Sequence, residues 1–168
     1  IFCANGSNEV LQSLLLAFGG AGRSVALFEP TYTLHAHIAR ITGTGVAAGS
    51  RTDRFELDLE EVGRVLAGHT PVITFLASPN NPTGRAESLG TVEAVLALAP
   101  GLLVVDEAYG QFAPSSALEL MERGAAGTDR LAVVRTFSKT WSMAGVRLGY
   151  LVADPEVVAA CELVALPY

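Results

Sequence analysis

The chain has 168 residues, enough for one domain with a full hydrophobic core. Its net charge of −6 and its pI near 5.0 argue against nucleic acid or an anionic membrane as a partner. Half of the residues are apolar and only 17% are charged, which indicates a sheet buried on both faces, or apolar surface that further chain or a second subunit covers.

Short apolar runs alternate with helix-like segments along the whole chain. The predicted strands are 24–28, 44–48, 71–77, 102–105, 130–135 and 147–152, and the predicted helices are about 7–18, 32–41, 58–67, 87–98, 115–123 and 155–165. Ser7 or Asn8 is expected to cap the first helix, and Asp58 opens the third. This alternation predicts an α/β fold with three αβα layers and a mostly parallel sheet.

The remaining composition narrows the class of protein. Every apolar run is interrupted before the roughly eighteen residues that a membrane span needs. Cys3 and Cys161 form no CxxC motif, so a reducing cytoplasm is expected. His35, His37 and His69 lie outside any Cys/His/Asp cluster, and no metal site is predicted. No targeting signal is visible, and both ends of the chain are expected to be cuts through a larger protein.

Polar motifs follow four of the predicted strands. They are EPTY at 29–32, SPNNPTG at 78–84, DEAYG at 106–110 and TFSK at 136–139. Ligands of open α/β sheets bind beyond the carboxyl ends of the strands. Four such motifs at one sheet edge therefore indicate a binding site.

Lys139 is the only lysine in a chain with ten arginines. A composition bias can replace lysine by arginine on a surface, but chemistry that needs a deprotonatable amine cannot use arginine. Thr136, Ser138 and Arg147 lie near it in sequence and suit a phosphate dianion, although Arg147 could also be a strand-edge charge paired with an acid. The segment Gly6, Ser7, Asn8 opens a helix, where backbone N–H groups can hold a phosphate.

The other strand ends carry groups that could contact a flat ring. Asp106 is either a turn or helix-cap aspartate, or a carboxylate that pairs with a protonated ring nitrogen, and the adjacent Glu107 could be a second carboxylate. Asn81 stands on a proline-rich turn that could present its amide to a ligand, although turn formation alone explains the motif equally well. Tyr109 supplies a hydroxyl. Tyr32 either packs at a helix start or stacks on a ring.

Two further features of the segment after Lys139 have ordinary explanations. Trp141 and Met143 are expected to be core or packing residues rather than cofactor contacts. Gly145 and Gly149 would allow close backbone approach, as turn glycines commonly do. Taken together, the strand-end groups fit a flat, phosphorylated, electron-poor heterocycle that carries an aldehyde, which is pyridoxal 5′-phosphate.

The order of the motifs NGSNE, EPTY, SPNNPTG, DEAYGQF and TFSKTWSMAGVRLGY, with a closing LPY, resembles the fold-type-I pyridoxal-phosphate aminotransferases. Within them, the chain is most similar to the histidinol-phosphate aminotransferases. The resemblance implies that 1–168 is the large, cofactor-binding domain of the aspartate-aminotransferase-like fold. It also implies that an N-terminal arm and a C-terminal small domain are absent from this chain, and that the full-length protein is a homodimer.

The resemblance implies a role for each matching position. Lys139 would be the Schiff-base lysine, which also moves a proton between the substrate α-carbon and the cofactor C4′. Asp106 would pair with the pyridine nitrogen, and Tyr32 would stack on the ring. The ring hydroxyl would contact Asn81 and Tyr109, and the phosphate would contact Gly6, Ser7, Asn8, Thr136, Ser138 and Arg147. Gln111 stands where relatives often have an acid, which is expected to be harmless.

The implied reaction passes an amino group between glutamate and imidazole acetol phosphate in histidine biosynthesis. The arginine that grips the substrate carboxylate in the family belongs to the small domain, so this chain is expected to keep the cofactor site without a complete substrate site. Alternatives are another aminotransferase or a phospho-amino-acid decarboxylase of the same fold, a regulator whose aminotransferase-like domain senses the cofactor, and an α/β domain without a ligand.

Overall fold

The computed structural model describes residues 1–166, so Pro167 and Tyr168 of the closing LPY lie outside the described residues. The strands are β1 (Phe2–Asn5), β2 (Ser24–Glu29), β3 (Gly45–Ser50), β4 (Ile73–Ala77), β5 (Leu102–Asp106), β6 (Leu131–Thr136) and β7 (Leu148–Val152). The helices are α1 (Ser7–Phe18), α2 (Thr33–Ile41), α3 (Leu59–His69), α4 (Leu89–Leu98), α5 (Leu118–Glu122) and α6 (Pro155–Val164).

The strands form one sheet in the order β1-β7-β6-β5-β4-β2-β3. The pairs from β3 across to β6 are all parallel, and β7 is antiparallel to both β6 and β1. The prediction of a mostly parallel sheet is therefore confirmed. Because β2, β4, β5 and β6 point the same way, the four polar motifs that follow them meet at one edge.

Two hydrophobic cores fill the two faces of the sheet, as the continuous apolar runs of the strands predict. In β5, Leu102 and Val104 face a core that includes residues of α1, α2 and α6. The alternate residues Leu103 and Val105 face the other core, with residues of α3, α4 and α5. Side chains alternate along a strand, so the residue two positions after Val104 points to the α1–α2 face of the sheet, and the residue after that points to the α5 face.

The strand β1 was not predicted: the apolar run at its start is only four residues long, and of the β1 residues only Phe2 is buried. It lies at the sheet edge and pairs Phe2 with Leu151 and Asn5 with Leu148 of β7. This pairing brings the first turn of the chain next to the segment that precedes β7.

The helix starts were predicted with mixed success. Asp58 caps α3 as expected, because its Oδ1 accepts a hydrogen bond from the Glu60 N–H at 2.9 Å. The prediction of Ser7 or Asn8 as the cap of α1 was wrong: α1 begins at Ser7, and the cap position is Gly6, without a side-chain cap. Gly6 has φ +85° and ψ 162°, a conformation open essentially only to glycine.

The described residues, 1–166, were searched for membrane-spanning helices and for groups of metal-binding side chains. None of the helices in that range combines the length and the apolar character that a bilayer crossing needs. The same residues contain no group of three or more histidine, cysteine or acidic side chains that could hold a metal ion.

Candidate cofactor-binding site

One cavity of about 120 Å³ opens at the carboxyl edge of the sheet. Every predicted site residue except Gly6 lines it, although they come from five separate stretches of the sequence. The lining residues are Ser7, Asn8, Tyr32, Ala77, Pro79, Asn81, Asp106, Ala108, Tyr109, Thr136, Ser138, Lys139 and Arg147.

Asp106 forms the buried inner end of this cavity. It is the last residue of β5 and shares the orientation of Val104, which directs its carboxylate to the α2 side of the sheet. Oδ2 lies 3.0 Å from the Nε2 atom of His35, and Oδ1 accepts a hydrogen bond from the Ala108 N–H at 3.0 Å. Asp106 is therefore a turn aspartate and a cavity carboxylate at once, so the two readings of the sequence are compatible.

His35 on α2 is the neighbour of Asp106 that sequence reasoning did not find. Its ring is fully buried and stacks on Phe75, with 4.6 Å between the ring centres. The Nδ1 atom has no hydrogen-bond partner among residues 1–166. A proton on Nδ1 would be buried and unpaired there, so we assign the proton to Nε2, where it is donated to Asp106. The histidine thus orients one carboxylate oxygen.

Tyr32 forms the side of the cavity next to His35. It precedes α2 at the cap position, and its ring meets the His35 ring edge-on at 5.4 Å. Burial raises the pKa of its hydroxyl above 10.0, and the charge of Asp106 raises it further, while Lys139 opposes the shift. The Tyr32 hydroxyl therefore stays protonated at neutral pH and can donate a hydrogen bond.

Lys139 lies at the exposed mouth of the cavity. Its Nζ atom is 5.5 Å from the centre of the Tyr109 ring, a cation–π contact. No carboxylate among the described residues forms an ion pair with it. The amine is held close to an aromatic face, with its polar end open to a ligand.

The outer end of the cavity combines a helix N-terminus with a guanidinium group. Because Gly6 provides no cap, the backbone N–H groups of Ser7 and Asn8 lack hydrogen-bond partners within residues 1–166. Arg147 Nη1 donates to Ser138 Oγ at 3.2 Å and to the Ala144 carbonyl at 3.1 Å. Arg147 forms no ion pair in the described chain, so the reading as a strand-edge charge paired with an acid was wrong.

Gly6 lies behind this end of the cavity, outside its lining. A Cβ atom at Gly6 would collide with the Arg147 guanidinium, and one at Gly149 would collide with the backbone of the Gly6–Ser7 peptide. Close approach at Gly149 is therefore confirmed, whereas Gly145 has open space around it. The two glycines let β7 and the first turn of the chain meet.

Thr136 is buried beneath the same end. Its hydroxyl accepts a hydrogen bond from the Ser138 N–H at 3.1 Å and donates to the Leu148 carbonyl at 3.4 Å. These bonds shape the turn that carries Ser138 and Lys139. Thr136 thus lines the cavity mainly as a support for that turn.

Glu107 is not a second carboxylate of the cavity. It follows Asp106 but points to the opposite side of the sheet, where it is buried against Arg135. Arg135 Nε and Nη2 lie 2.9 and 2.5 Å from Glu107 Oε2, and the Ser116 hydroxyl donates to the same oxygen at 2.8 Å. The Ala117 N–H donates to Oε1 at 2.6 Å. This network, the Glu107 network, joins β5, β6 and α5.

Asn80 and Asn81 differ as Glu107 and Asp106 do, because only the second asparagine lines the cavity. Asn81 lines the cavity, and its side chain forms no hydrogen bond within residues 1–166. Asn80 is only 2% exposed and bonds to Pro30, Thr31 and Thr83. One asparagine is open to a ligand and the other is committed to the protein.

The segment between Lys139 and Arg147 differs from its expected packing. Trp141 and Met143 are 55% and 41% exposed, so they are not core residues, although the Trp141 ring lies 6.3 Å from the Phe137 ring. All seven residues from 141 to 147 are exposed, and Val146 adds a third large apolar side chain to the run. An apolar surface of this kind, beside a binding cavity, is typical of a protein interface.

The sequence of the chain is similar to that of known proteins along its whole length. The family model described as "Aminotransferase class I and II" matches residues 1–168. A histidinol-phosphate aminotransferase of Thermobifida fusca is 49% identical, and one of Streptomyces avermitilis is 48% identical; each match covers 100% of this chain and 46% of the relative. The chain thus spans about half the length of these curated relatives.

Solved structures show the same fold around the cavity. The histidinol-phosphate aminotransferase of Sinorhizobium meliloti, solved in complex with pyridoxal-5′-phosphate, has a TM-score of 0.88 at 27% identity. The match covers 98% of this chain and 45% of that one. The aspartate aminotransferase of Thermus thermophilus with maleate has a TM-score of 0.84 at 26% identity, with 96% of this chain and 43% of that one covered. The aspartate-aminotransferase-like fold class is confirmed.

Proposed function

The chain belongs to the class I and II aminotransferase family, and from that premise we propose that it is the cofactor-binding domain of a pyridoxal-phosphate-dependent histidinol-phosphate aminotransferase. One observation carries the proposal. A single cavity unites the only lysine of the chain, a buried strand-end carboxylate and an uncapped helix N-terminus beside Arg147. These are the groups that an aldehyde, a ring nitrogen and a phosphate require.

The fit to pyridoxal phosphate rests on the chemistry of the two ends of the cavity. The unpaired N–H groups of Ser7 and Asn8, the Ser138 hydroxyl and the Arg147 guanidinium would hold the phosphate. At the inner end, the buried carboxylate of Asp106 would hold a protonated ring nitrogen. Charge of opposite sign at opposite ends suits a ligand with a phosphate at one end and a basic nitrogen at the other.

The side chains between these ends would hold the ring. Asn81 has an uncommitted amide, and Tyr109 has a hydroxyl, so both can bond to a ring oxygen. Tyr32 would cover one ring face. The hydrogen bond from His35 keeps the Asp106 carboxylate directed into the cavity, because the imidazole is locked between Phe75 and Tyr32.

When bound, pyridoxal phosphate supplies an aldehyde that links covalently to an amine and a ring that accepts electrons from the substrate carbon. Lys139 Nζ is the nucleophile of this chain that the aldehyde requires. The same amine, once free, can take a proton from the substrate α-carbon and return it to a neighbouring carbon. Arginine at this position could do neither, since its guanidinium stays protonated.

The substrates and the assembly are also proposals, because the chain spans about half of its curated relatives. Glutamate and imidazole acetol phosphate are the proposed amino donor and acceptor, and their remaining binding groups would lie in a small domain outside this chain. We propose that a second copy covers the exposed Trp141, Met143 and Val146 in a homodimer. The free thiols of Cys3 and Cys161 support a reducing, cytoplasmic location.

The test uses the full-length protein with added pyridoxal phosphate. We expect a visible absorption band from the lysine-linked cofactor, and amino transfer from glutamate to imidazole acetol phosphate. Lys139→Ala should abolish the band and lower kcat/KM by at least about 10⁴-fold, because both the nucleophile and the proton carrier are lost.

Lys139→Arg is the matched control for charge. It keeps a cation at the cavity mouth and should be as inactive as Lys139→Ala, with wild-type affinity for inorganic phosphate at the outer end. A parent protein without the band would contradict the cofactor assignment. A band with turnover only of other keto acids would contradict the proposed acceptor and leave the aminotransferase assignment standing.

A further inference from the structure

We propose that Asn80 is a positioning residue, which ties the loop that carries Tyr32 to the loop that carries Asn81. The inference rests on the proposed function, because those two residues are the proposed face and edge contacts of the cofactor ring. Asn80 itself does not line the cofactor cavity. It would act through its neighbours.

Every hydrogen-bonding group of the Asn80 side chain is used. Nδ2 donates to the Pro30 carbonyl at 3.0 Å and to Thr83 Oγ1 at 2.9 Å. Oδ1 accepts a hydrogen bond from Thr31 Oγ1 at 2.8 Å. Two of these three bonds cross from the loop after β4 to the loop after β2, and they end on the two residues that directly precede Tyr32.

The backbone of Asn80 holds the other side of this connection in place. Its N–H donates to the Arg85 carbonyl at 2.7 Å, and its carbonyl accepts from the Gly84 N–H at 2.7 Å. These bonds close the turn over 80–85. The asparagine therefore sits in a rigid turn when it reaches across to Pro30 and Thr31.

The sheet itself leaves a gap that Asn80 spans. The register of β4 with β5 continues to Ala77 and Asp106, at the carboxyl edge itself. The register of β2 with β4 ends at Ala26 and Thr74, well before the loop that carries Tyr32. Sheet pairing thus fixes β4 against β5 up to the cavity, but it does not fix Tyr32 against Asn81.

A second connection reaches Tyr32 from α2, through the edge contact with His35 and the bond from His35 to Asp106. This contact constrains the ring but leaves the 30–31 backbone unheld. Asn80 supplies that constraint, so its loss should blur the orientation of the bound cofactor more than it weakens the fold.

The experiment measures cofactor binding in the full-length protein. Asn80→Ala should keep the lysine-linked absorption band, because Lys139 and Asp106 are intact. We expect the Kd for pyridoxal phosphate to rise about tenfold. The induced circular dichroism per bound cofactor, which reports how the ring is oriented by its surroundings, should fall.

Thr31→Val and Thr31→Ser form a matched pair that keeps the test valid if Asn80→Ala folds poorly. Thr31→Val removes the donor to Asn80 and should lower the induced circular dichroism, while Thr31→Ser keeps the donor and should restore it. Thr74→Val is the control in β4, since the Thr74 hydroxyl is buried without a partner and bridges nothing in the described chain. It should leave both readouts unchanged.

Two results would overturn the inference. The first is a lower melting temperature for Asn80→Ala and Thr31→Val with unchanged Kd and unchanged induced circular dichroism, which would make Asn80 a structural residue only. The second is a parent protein without the lysine-linked band, which would overturn the proposed function as well. The two failures are distinguished by the parent spectrum.

Discussion

The inner and outer ends of the cavity are built in opposite ways. At the inner end, Asp106 is buried, and both of its oxygens have protein partners. At the outer end, Lys139 and Arg147 are exposed, and the adjacent helix N-terminus has no cap. The protein thus fixes the group at the inner end with its own hydrogen bonds, while a carboxylate can still accept a further one, and it leaves the groups at the outer end largely free for a ligand.

The same contrast separates the two members of each adjacent polar pair. Asp106 and Asn81 face the cavity, while Glu107 and Asn80 are buried in networks behind it. In both pairs, one residue is available to a ligand because its neighbour fixes the loop. Adjacent polar residues at a strand end therefore divide recognition and support between them.

The largest effect is expected from a variant that disrupts the Glu107 network, which lies behind the inner end of the cavity. Arg135→Ala leaves the Glu107 carboxylate buried without its cation, which should lower the free energy of unfolding by about 3–5 kcal/mol. The measurement is chemical denaturation of the full-length protein. Arg123→Ala is the control, because the Arg123–Glu93 pair is about half exposed and should contribute little.

The double variant Glu107→Gln with Arg135→Leu sharpens this prediction. It removes both charges and should recover part of the lost stability, since no uncompensated carboxylate remains. If the single variant Arg135→Ala has the same free energy of unfolding as the parent, the Glu107 network does not stabilise the fold.

The next largest effect is expected from a substitution at Gly6, beside the outer end of the cavity. Gly6→Ala adds a Cβ atom where the Arg147 guanidinium lies and forces alanine into a backbone region that costs about 1–3 kcal/mol. We expect the Kd for pyridoxal phosphate to rise about tenfold or more, because the arginine and the helix N-terminus can no longer converge. The lysine-linked band should persist at saturating cofactor.

Gly63→Ala is the control for the glycine substitution. Gly63 lies inside α3 with open space around it, so alanine should add up to about 1 kcal/mol of stability and leave the Kd unchanged. If Gly6→Ala and the parent bind the cofactor with equal Kd, the assignment of Arg147 as a phosphate contact is contradicted.

The smallest effect extends the comparison of buried and exposed groups to the two thiols. Burial, with a smaller contribution from Glu162, raises the pKa of Cys161 from 9.0 to about 11. The folded state therefore holds this proton more tightly, so its contribution to stability is full below pH 9 and is lost as the pH rises through 11. Cys161→Ala should flatten the decline of melting temperature over that window.

Thiol labelling at pH 8 offers an independent measurement. The exposed Cys3 should react in the native protein, and Cys161 should react only after denaturant is added. Peptide mass spectrometry distinguishes the two sites. Rapid native labelling of Cys161 would contradict its burial.

The sequence predicted the cavity well because parallel strands share one direction. Once EPTY, SPNNPTG, DEAYG and TFSK are placed after strands, sheet geometry alone brings them to one edge. It left open whether Glu107 joins Asp106 in the cavity, because that depends on the side of the sheet to which each residue points. His35 was missed for a related reason: its partner Asp106 lies 71 residues away in the chain.

The exposed apolar side chains mark another limit of sequence patterns. Trp141 and Met143 have the apolar character of core residues, and a sequence pattern does not reveal that both are exposed within residues 1–166. β1 shows the opposite case. Its apolar residues are too few to stand out as a strand in the sequence, and in the structure backbone pairing to β7 holds it more than burial does.

The packing of Gly149 against the Gly6–Ser7 peptide has a consequence for folding. Gly6 and its partners on and beside β7 are separated by most of the 168 residues of the sequence. Contacts this distant in sequence are slow to form, since the intervening loop must close before they contribute. The proposed phosphate-binding end of the cavity is therefore complete only after β1 and β7 have paired.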